Sequence, residues 1–356
     1  MALSPTINDP PRAAVLRLSW PIGATFAIAL AIVLVIVTAC EFAARGKTFD
    51  DRMFPESIGS GQPQLDKKLV LLRRMVEREH GLDCLFLGSS QVYRAIDPQA
   101  VRQRIRQRSG EDLRCFNFGL GGMSEISEAP LAEILLRKYR PRLVVVGLSS
   151  YGMGDRGFKF DEFLGASPWF QYQSGDPTLS GWLLEHSYAM RRYQGYRFRT
   201  GTDKDQIATQ VGLVIGMDPT GHAPLKRGEY RGVGPETRRV LQQFSVSPQH
   251  IEGLQALLAL RSADVEFLGV ELPVHETVIA LYPQGAADHT AARATIEQIA
   301  AQHGIPFWRL PDDLRFPADT WADFVHLNRA GTAIYSDWLG ERLGEALRRG
   351  ELTAGR

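Results

Sequence analysis

From Leu18 to Cys40 the chain carries 23 consecutive residues without a charge, LSWPIGATFAIALAIVLVIVTAC. Such a run leaves the backbone little choice. In hydrocarbon every peptide N–H and C=O must find a partner within the segment, and a lone span achieves that only as a helix. At about 1.5 Å per residue these residues reach about 34 Å, enough to cross a core about 30 Å thick. Eleven of them are Leu, Ile, Val or Phe, which favours insertion. Pro21 stands near the start, where its missing N–H is least costly. The expected organisation is a cytoplasmic N-terminus over 1–17, a transmembrane anchor over 18–40 and a linker over 41–63.

Orientation does not follow from charge alone. Arg12 and Arg17 precede the run, and Arg45, Lys47 and Arg52 follow it, so the positive-inside rule gives no decision. One N-terminal span followed by a long mixed-composition chain has the form of a signal anchor, with the bulk extracytoplasmic (periplasmic). Val37-Thr38-Ala39-Cys40 also has the look of a lipobox, so Cys40 is read either as an ordinary anchor residue or as a lipidation site. Both readings tie the protein to a membrane.

The remainder has ordinary globular composition, 44% hydrophobic and 23% charged. Lys+Arg total 41 against 40 Asp+Glu; this near-neutral balance gives no footprint for nucleic acid. Three cysteines exclude a disulfide-stapled scaffold and a four-cysteine zinc site. Cys84 and Cys115 fall on expected strands and are read as buried thiols.

Five short apolar runs read as buried strands: 84–87 (CLFL), 115–118 (CFNF), 143–147 (LVVVG), 265–270 (VEFLGV) and 305–310 (IPFWRL). Helical patterns lie at 64–80, 98–108, 125–139, 248–262, 288–303 and 329–348. Alternation of this kind predicts βαβ units and a parallel sheet covered on both faces. It breaks between Gly152 and Ser247, a stretch rich in Gly, Arg and aromatics with a helical patch near 179–193. That length is too great for a structureless loop and predicts an inserted lid or subdomain over 152–247. The whole domain is expected over 64–350.

Three short segments carry chemistry. Gly88-Ser89-Ser90 follows the first strand, and ligand sites in open α/β sheets lie at the carboxyl ends of strands. Serines there either form a turn or cap, or supply a nucleophile beside free backbone N–H groups. Asn117-Phe118-Gly119-Leu120-Gly121-Gly122 follows the second strand, and its glycines allow close backbone approach. Near the C-terminus Asp323 stands three residues before His326, within reach of its Nδ1 side.

Taken together, Ser90 after strand one, N-x-G-x-x-G after strand two, and Asp323-Phe324-Val325-His326-Leu327-Asn328 before the last helix resemble the SGNH/GDSL hydrolase superfamily. The resemblance spans residues 83 to 349, interrupted by the insertion. It implies a flavodoxin-like three-layer α/β/α fold. It also implies Ser90 as nucleophile, His326 as base, Asp323 as its orienter, and the Ser90 and Gly122 amides as an oxyanion hole. Two positions depart from the pattern. Ser89 stands where the family has Asp, and Gly147-Leu148-Ser149-Ser150 replaces G-x-N-D, so the oxyanion Asn is missing. The G-S-S variant on a single anchor is similar to the D-alanyl transfer protein of lipoteichoic acid modification and to exopolysaccharide O-acetylation proteins. That likeness implies an O-acyl esterase or acyltransferase acting on a cell-envelope glycan, with a multi-span membrane O-acyltransferase as possible partner. A non-catalytic scaffold that binds glycan or such a partner is the alternative.

Three residues are expected to bind substrate: Asn117, Arg191 and Arg192. The two arginines belong to Tyr188–Thr200, YAMRRYQGYRFRT, a stretch with four Arg and no acid that either grips an anionic or sugar group or forms a solvated face. His275, after the fourth strand, either faces the site or serves structure. Gly119–Gly122 lacks the dinucleotide pattern, and no His/Cys/Asp set has metal-ligand spacing in sequence, so neither cofactor nor metal is expected.

Overall fold

The computed structural model describes residues 22–46, 51, 53–154, 164–201, 214, 216–225 and 232–353. The chain divides into two units after Phe49. The first holds α1 (Ile22–Arg45), a helix long and apolar enough to cross a membrane. Its side chains face outward: Phe26 is 77% exposed and Val35 68%. The helix runs past Cys40, the expected end of the anchor, as far as Arg45, because Glu41-Phe42-Ala43-Ala44 are good helix formers. Leu18 to Pro21 lie outside the described residues.

In the second unit the elements follow the order α2 (Pro63–Glu79), β1 (Cys84–Leu87), α3 (Ser90–Ala95), α4 (Pro98–Ser109), β2 (Cys115–Asn117), α5 (Glu125–Tyr139) and β3 (Leu143–Leu148). The inserted region contributes α6 (Pro168–Gln173), α7 (Leu179–His186), α8 (Tyr188–Arg199) and α9 (Pro235–Leu241). Then come α10 (Pro248–Leu258), β4 (Glu266–Glu271), α11 (Glu276–Leu281), α12 (Ala286–Gln302), β5 (Phe307–Trp308) and α13 (Arg329–Arg349). The patch expected near 179–193 is two helices, broken where the Ser187 side chain accepts a hydrogen bond from the Met190 amide and caps α8.

The five strands form one parallel sheet in the order β2-β1-β3-β4-β5. This is the flavodoxin-like order, whose ligand crevice opens where β1 and β3 part toward opposite edges. Alternation along each strand divides the core. Leu85, Leu87, Val144 and Val146 pack with α2, α5, α10 and α12 residues such as Leu72, Leu135, Leu257 and Ile296. Cys84, Phe86, Val145 and Leu268 pack on the other face with α4 and α13 residues such as Val101, Ile105, Leu339 and Leu343. Cys84 and Cys115 pair in register and are free, buried thiols; burial raises the Cys84 pKa.

The segment expected as linker is only partly one. Glu56, Ser57, Ile58 and Ser60 are buried. Glu56 pairs with Arg73, Arg74 and Arg191. The Asp66 carboxylate accepts from the Ser60 hydroxyl at 2.7 Å and the Ile58 amide at 3.3 Å. A charged patch that looks solvated in sequence is therefore closed over by ion pairs, which permits its burial.

Two outcomes test this packing. α13 lies so close to α4 that a Cβ on Gly340 would fall 2.7 Å from Arg104 Cβ and 3.0 Å from the Val101 carbonyl. Gly340→Leu should therefore cost about 1–3 kcal/mol by overpacking, read as a lower midpoint of urea unfolding. Burial pushes Asp66 up to about 6, against about 3.9 for an unfolded Asp. Between those values the folded state holds the extra proton, so stability falls as pH rises from 4 to 6 by at most about 1.4 kcal/mol per pH unit. Asp66→Asn should flatten that slope in unfolding curves measured across the interval.

Candidate active site

The site grows from the turn after β1. Gly88 has φ 143°, and a Cβ there would sit 2.4 Å from Val92 Cγ2 and 3.0 Å from the Gly147 carbonyl. Gly147, on neighbouring β3, meets the same Val92 methyl at the same distance. The two glycines thus let α3 begin directly at the strand ends. Ser89 caps that helix, its side chain accepting from the Gln91 amide at 3.3 Å, as a turn-forming serine does. Ser90 becomes the first helical residue.

His326 reaches Ser90 from the other end of the chain. Its Nε2 lies 2.8 Å from Ser90 Oγ, and its Nδ1 lies 2.8 Å from Asp323 Oδ2. Asp323 Oδ1 accepts from the amides of Val325 and His326, each at 2.8 Å. Burial would raise the Asp323 pKa, but the His326 hydrogen bond and these two amides outweigh it and hold the carboxyl below its ordinary value. An ionised Asp323 accepts the Nδ1 proton. That tautomer leaves the Nε2 lone pair to accept from the Ser90 hydroxyl. Asn328 fixes the approach: its side chain caps α13 by accepting from the amides of Ala330 and Gly331, and donates to the Asp319 carbonyl at 2.7 Å.

The glycine loop lies against the same turn. Leu120 N–H donates to the Gly88 carbonyl at 3.0 Å, and a Cβ on Gly119 would fall 2.5 Å from the Tyr93 amide. Gly121 N–H donates to Gln64 Oε1 at 2.6 Å. Gly122 has φ 77°. Among the described residues its amide and that of Ser90 have no hydrogen-bond acceptor.

At the end of β3 the two serines are committed elsewhere. Ser149 Oγ donates to Gln91 Oε1 at 2.7 Å and accepts from the Gly152 amide at 3.1 Å. Ser150 Oγ lies 2.7 Å from His289 Nδ1. Neither offers the side-chain donor that an Asn would supply.

The side chains expected to bind substrate are engaged within the protein itself. Asn117 is fully buried. Its Nδ2 donates to the carbonyls of Val92 and Ile96, and its Oδ1 accepts from the Gly119 amide and from Lys68 Nζ. Every polar atom of the amide is used to bind α3 to the glycine loop. Arg191 is 3% exposed and bonds Glu56 and the carbonyls of Leu184 and Glu185. Arg192 pairs with Asp51 and the Phe54 carbonyl. Both arginines hold α8 to residues 51–57; a buried guanidinium must be paired, and here the chain itself supplies the partners. His275 caps α11, its Nδ1 accepting from the Thr277 amide at 3.1 Å, and burial lowers its pKa.

Sequence reasoning missed Gln91 and Arg94. Gln91 ties the ends of three strands, joining Ser149 after β3 and the Pro273 carbonyl after β4 to the turn after β1. Arg94, one turn after Ser90, donates to the Ala223 carbonyl at 2.6 Å and so holds residues 217–225 of the insertion beside the site. The Arg329 amide donates to the Leu225 carbonyl at 3.0 Å from the other side. The described helices α6 to α8 pack elsewhere, α7 pairing with α5 through Glu185 and Lys138. One further group, Asp97, Asp218 and His222, offers metal-ligand atoms.

No protein-family model and no curated protein sequence matches this chain. Solved structures do. A protein from Lactobacillus plantarum is 13% identical, covering 74% of this chain and 97% of that one, with a TM-score of 0.36. A lipase/acylhydrolase from Enterococcus faecalis is 13% identical over 77% of this chain and 100% of that one, TM-score 0.36. A carbohydrate acetylesterase from Sinorhizobium meliloti is 11% identical over 75% and 99%, TM-score 0.35. At such distances the chemistry rests on the chain's own residues.

Gln91 offers a test of the frame. Gln91→Leu leaves the buried Ser149 hydroxyl and the Pro273 carbonyl without their partner, which should cost about 1–3 kcal/mol. Calorimetric unfolding should show the loss; an unchanged midpoint would remove Gln91 from the frame.

Proposed function

We propose that the chain is a membrane-anchored SGNH-like O-acyl esterase or acyltransferase that works by a Ser–His–Asp mechanism, its soluble unit extracytoplasmic and its substrate a cell-envelope or exopolysaccharide glycan. The observation that carries the catalytic part is the unbroken chain from Ser90 Oγ through the His326 ring to Asp323, with both links at 2.8 Å. The membrane part rests on the apolar helix Ile22–Arg45. The glycan and a multi-span acyltransferase partner rest on the motif resemblance alone.

In this reading Ser90 Oγ attacks the acyl carbonyl carbon while His326 Nε2 takes its proton. Asp323 stabilises the imidazolium. The oxyanion turns toward the amides of Ser90 and Gly122. His326 then protonates the leaving alkoxide, leaving an acyl group on Ser90. Water or a sugar hydroxyl, deprotonated by His326, releases it. The oxyanion hole lacks a side-chain donor because Ser149 is bonded to Gln91. Loss of one such donor costs about 3–4 kcal/mol elsewhere, so turnover of a simple ester should be slow.

Full-length protein in detergent should label at Ser90 with a fluorophosphonate and release acetate from a small aryl ester. Ser90→Ala and His326→Ala should each reduce turnover by about a thousandfold or more, and the double variant should be little worse, as for residues acting as a unit. Asp323→Asn should also be severely impaired, through the wrong tautomer. Ser89→Ala, which removes only a cap, should remain active. Wild-type acetate release and in-cell glycan acylation in Ser90→Ala would leave the scaffold reading standing.

A further inference from the structure

The insertion brings two of its side chains, Asp218 and His222, to Asp97, which lies more than a hundred residues earlier in sequence. Asp97, Asp218 and His222 each offer one ligand atom, and the three atoms lie within 4.8 Å of one another. We infer that this group is a divalent metal site, of the class that Zn²⁺ occupies, pinning residues 218–222 of the insertion to the corner between α3 and α4.

The imidazole carries the argument. His222 is 3% exposed. Its Nδ1 faces Asp218 Oδ2 at 3.8 Å, and among the described residues its buried Nε2 has no hydrogen-bond partner. Buried polar groups are normally satisfied, and an exception calls for a ligand. The two carboxylates are arranged to supply one. Asp97 Oδ1 caps α4, accepting from the Gln99 and Ala100 amides at 2.9 and 3.3 Å. Asp218 Oδ1 accepts from the Thr220 amide and hydroxyl, each at 2.8 Å, and from the His222 amide at 3.2 Å. In each case one oxygen is locked by the backbone; among the described residues the other oxygen of Asp97 has no hydrogen-bond donor, and that of Asp218 meets the His222 ring at 3.8 Å. Lys68, whose field reaches Asp218, bonds the Asn117 carbonyl through Nζ at 2.7 Å and makes no ion pair with either carboxylate among the described residues.

The turn that carries two of the donors is held in place independently. The Asn117 amide donates to the Thr220 carbonyl at 2.8 Å. Gly221 has φ 83°, and a Cβ there would meet the Asn117 carbonyl at 2.3 Å. Hence the backbone that carries Asp218 and His222 is fixed before any ion arrives. One imidazole nitrogen with two carboxylate oxygens suits zinc better than calcium, which prefers an all-oxygen shell of higher coordination. Donors around four-coordinate zinc stand about 3.4 Å apart, given bonds of about 2.0–2.1 Å, so small side-chain rotations close the set. Three protein ligands leave a fourth position for water.

The test uses untagged full-length protein in detergent, stripped with chelator and dialysed against micromolar ZnCl₂, with metal content read by mass spectrometry. One zinc per chain should be retained, and the unfolding midpoint should rise, since an ion that binds only the folded state stabilises it. His222→Ala should lose the zinc. Asp97→Asn and Asp218→Asn keep the oxygen that serves the backbone and should each weaken binding at least tenfold with unchanged circular dichroism. Should His222→Ala fail to fold, cobalt added to the wild-type protein should give the visible bands of a four-coordinate nitrogen–oxygen site, quenched in Asp97→Asn. Retention of no zinc by the wild type, or equal retention by the folded Asp97→Asn and Asp218→Asn variants, overturns the site. Preferential retention of CaCl₂ overturns its assignment to the zinc class.

Discussion

The site hangs on one close approach. Val92 fills the space that side chains on Gly88 and Gly147 would take, so α3 starts at the very ends of β1 and β3. From that contact follow the position of Ser90 at the first turn, the seat of Gly119 against the Tyr93 amide, and the reach of Gln91 to β3 and β4. The place is also where the sheet order reverses direction, so the turn borders a crevice. A side chain at either glycine would force α3 outward and take the Ser90 hydroxyl away from His326.

Charge placement divides the domain into two kinds of ion pair. Around Glu56 the acid and Arg191 are enclosed together, both being nearly inaccessible, while Arg73 and Arg74 close over it from nearer the surface. Those pairs make burial of Glu56, Ser57, Ile58 and Ser60 possible. Around His326 the pairing is different. Asp323 is 42% exposed and His326 21% by side chain, so the imidazole is oriented by its acid while Ser90 stays on the open side. Pairing that closes acids on guanidinium groups builds structure, whereas pairing that leaves one nitrogen facing a hydroxyl sets up proton transfer.

The insertion takes part through its least regular stretch. Among the described residues its helices α7 and α8 pair with α5 and with Asp51 and Glu56, but residues 217–225 run between β2, Arg94 and the start of α13. That path touches the helix of Ser90 on one side and the His326 loop on the other. A segment with almost no secondary structure of its own must be held by such long-range bonds, and its carbonyls at Thr220, Ala223 and Leu225 are all used in this way.

By itself the sequence determined the elements and pointed to the Ser90, His326 and Asp323 group that the fold brings into hydrogen-bond contact. Apolar runs of four to six residues between helical patterns mark buried parallel strands because burial on both faces demands them, and a charge-free run marks a membrane-length helix by the same reasoning. Asp323 and His326 are legible as a pair since three residues separate them, and Ser90 follows a strand end. Only the tertiary structure decided the rest. Asn117 looked like a ligand group until its amide was found binding α3 to the glycine loop. Arg191 and Arg192 looked free because their acids, Glu56 and Asp51, lie some 140 residues earlier. Asp97 and His222 meet across a comparable distance. Local spacing reports what a turn or a helix face brings together; which remote charges neutralise one another is set by how the layers stack.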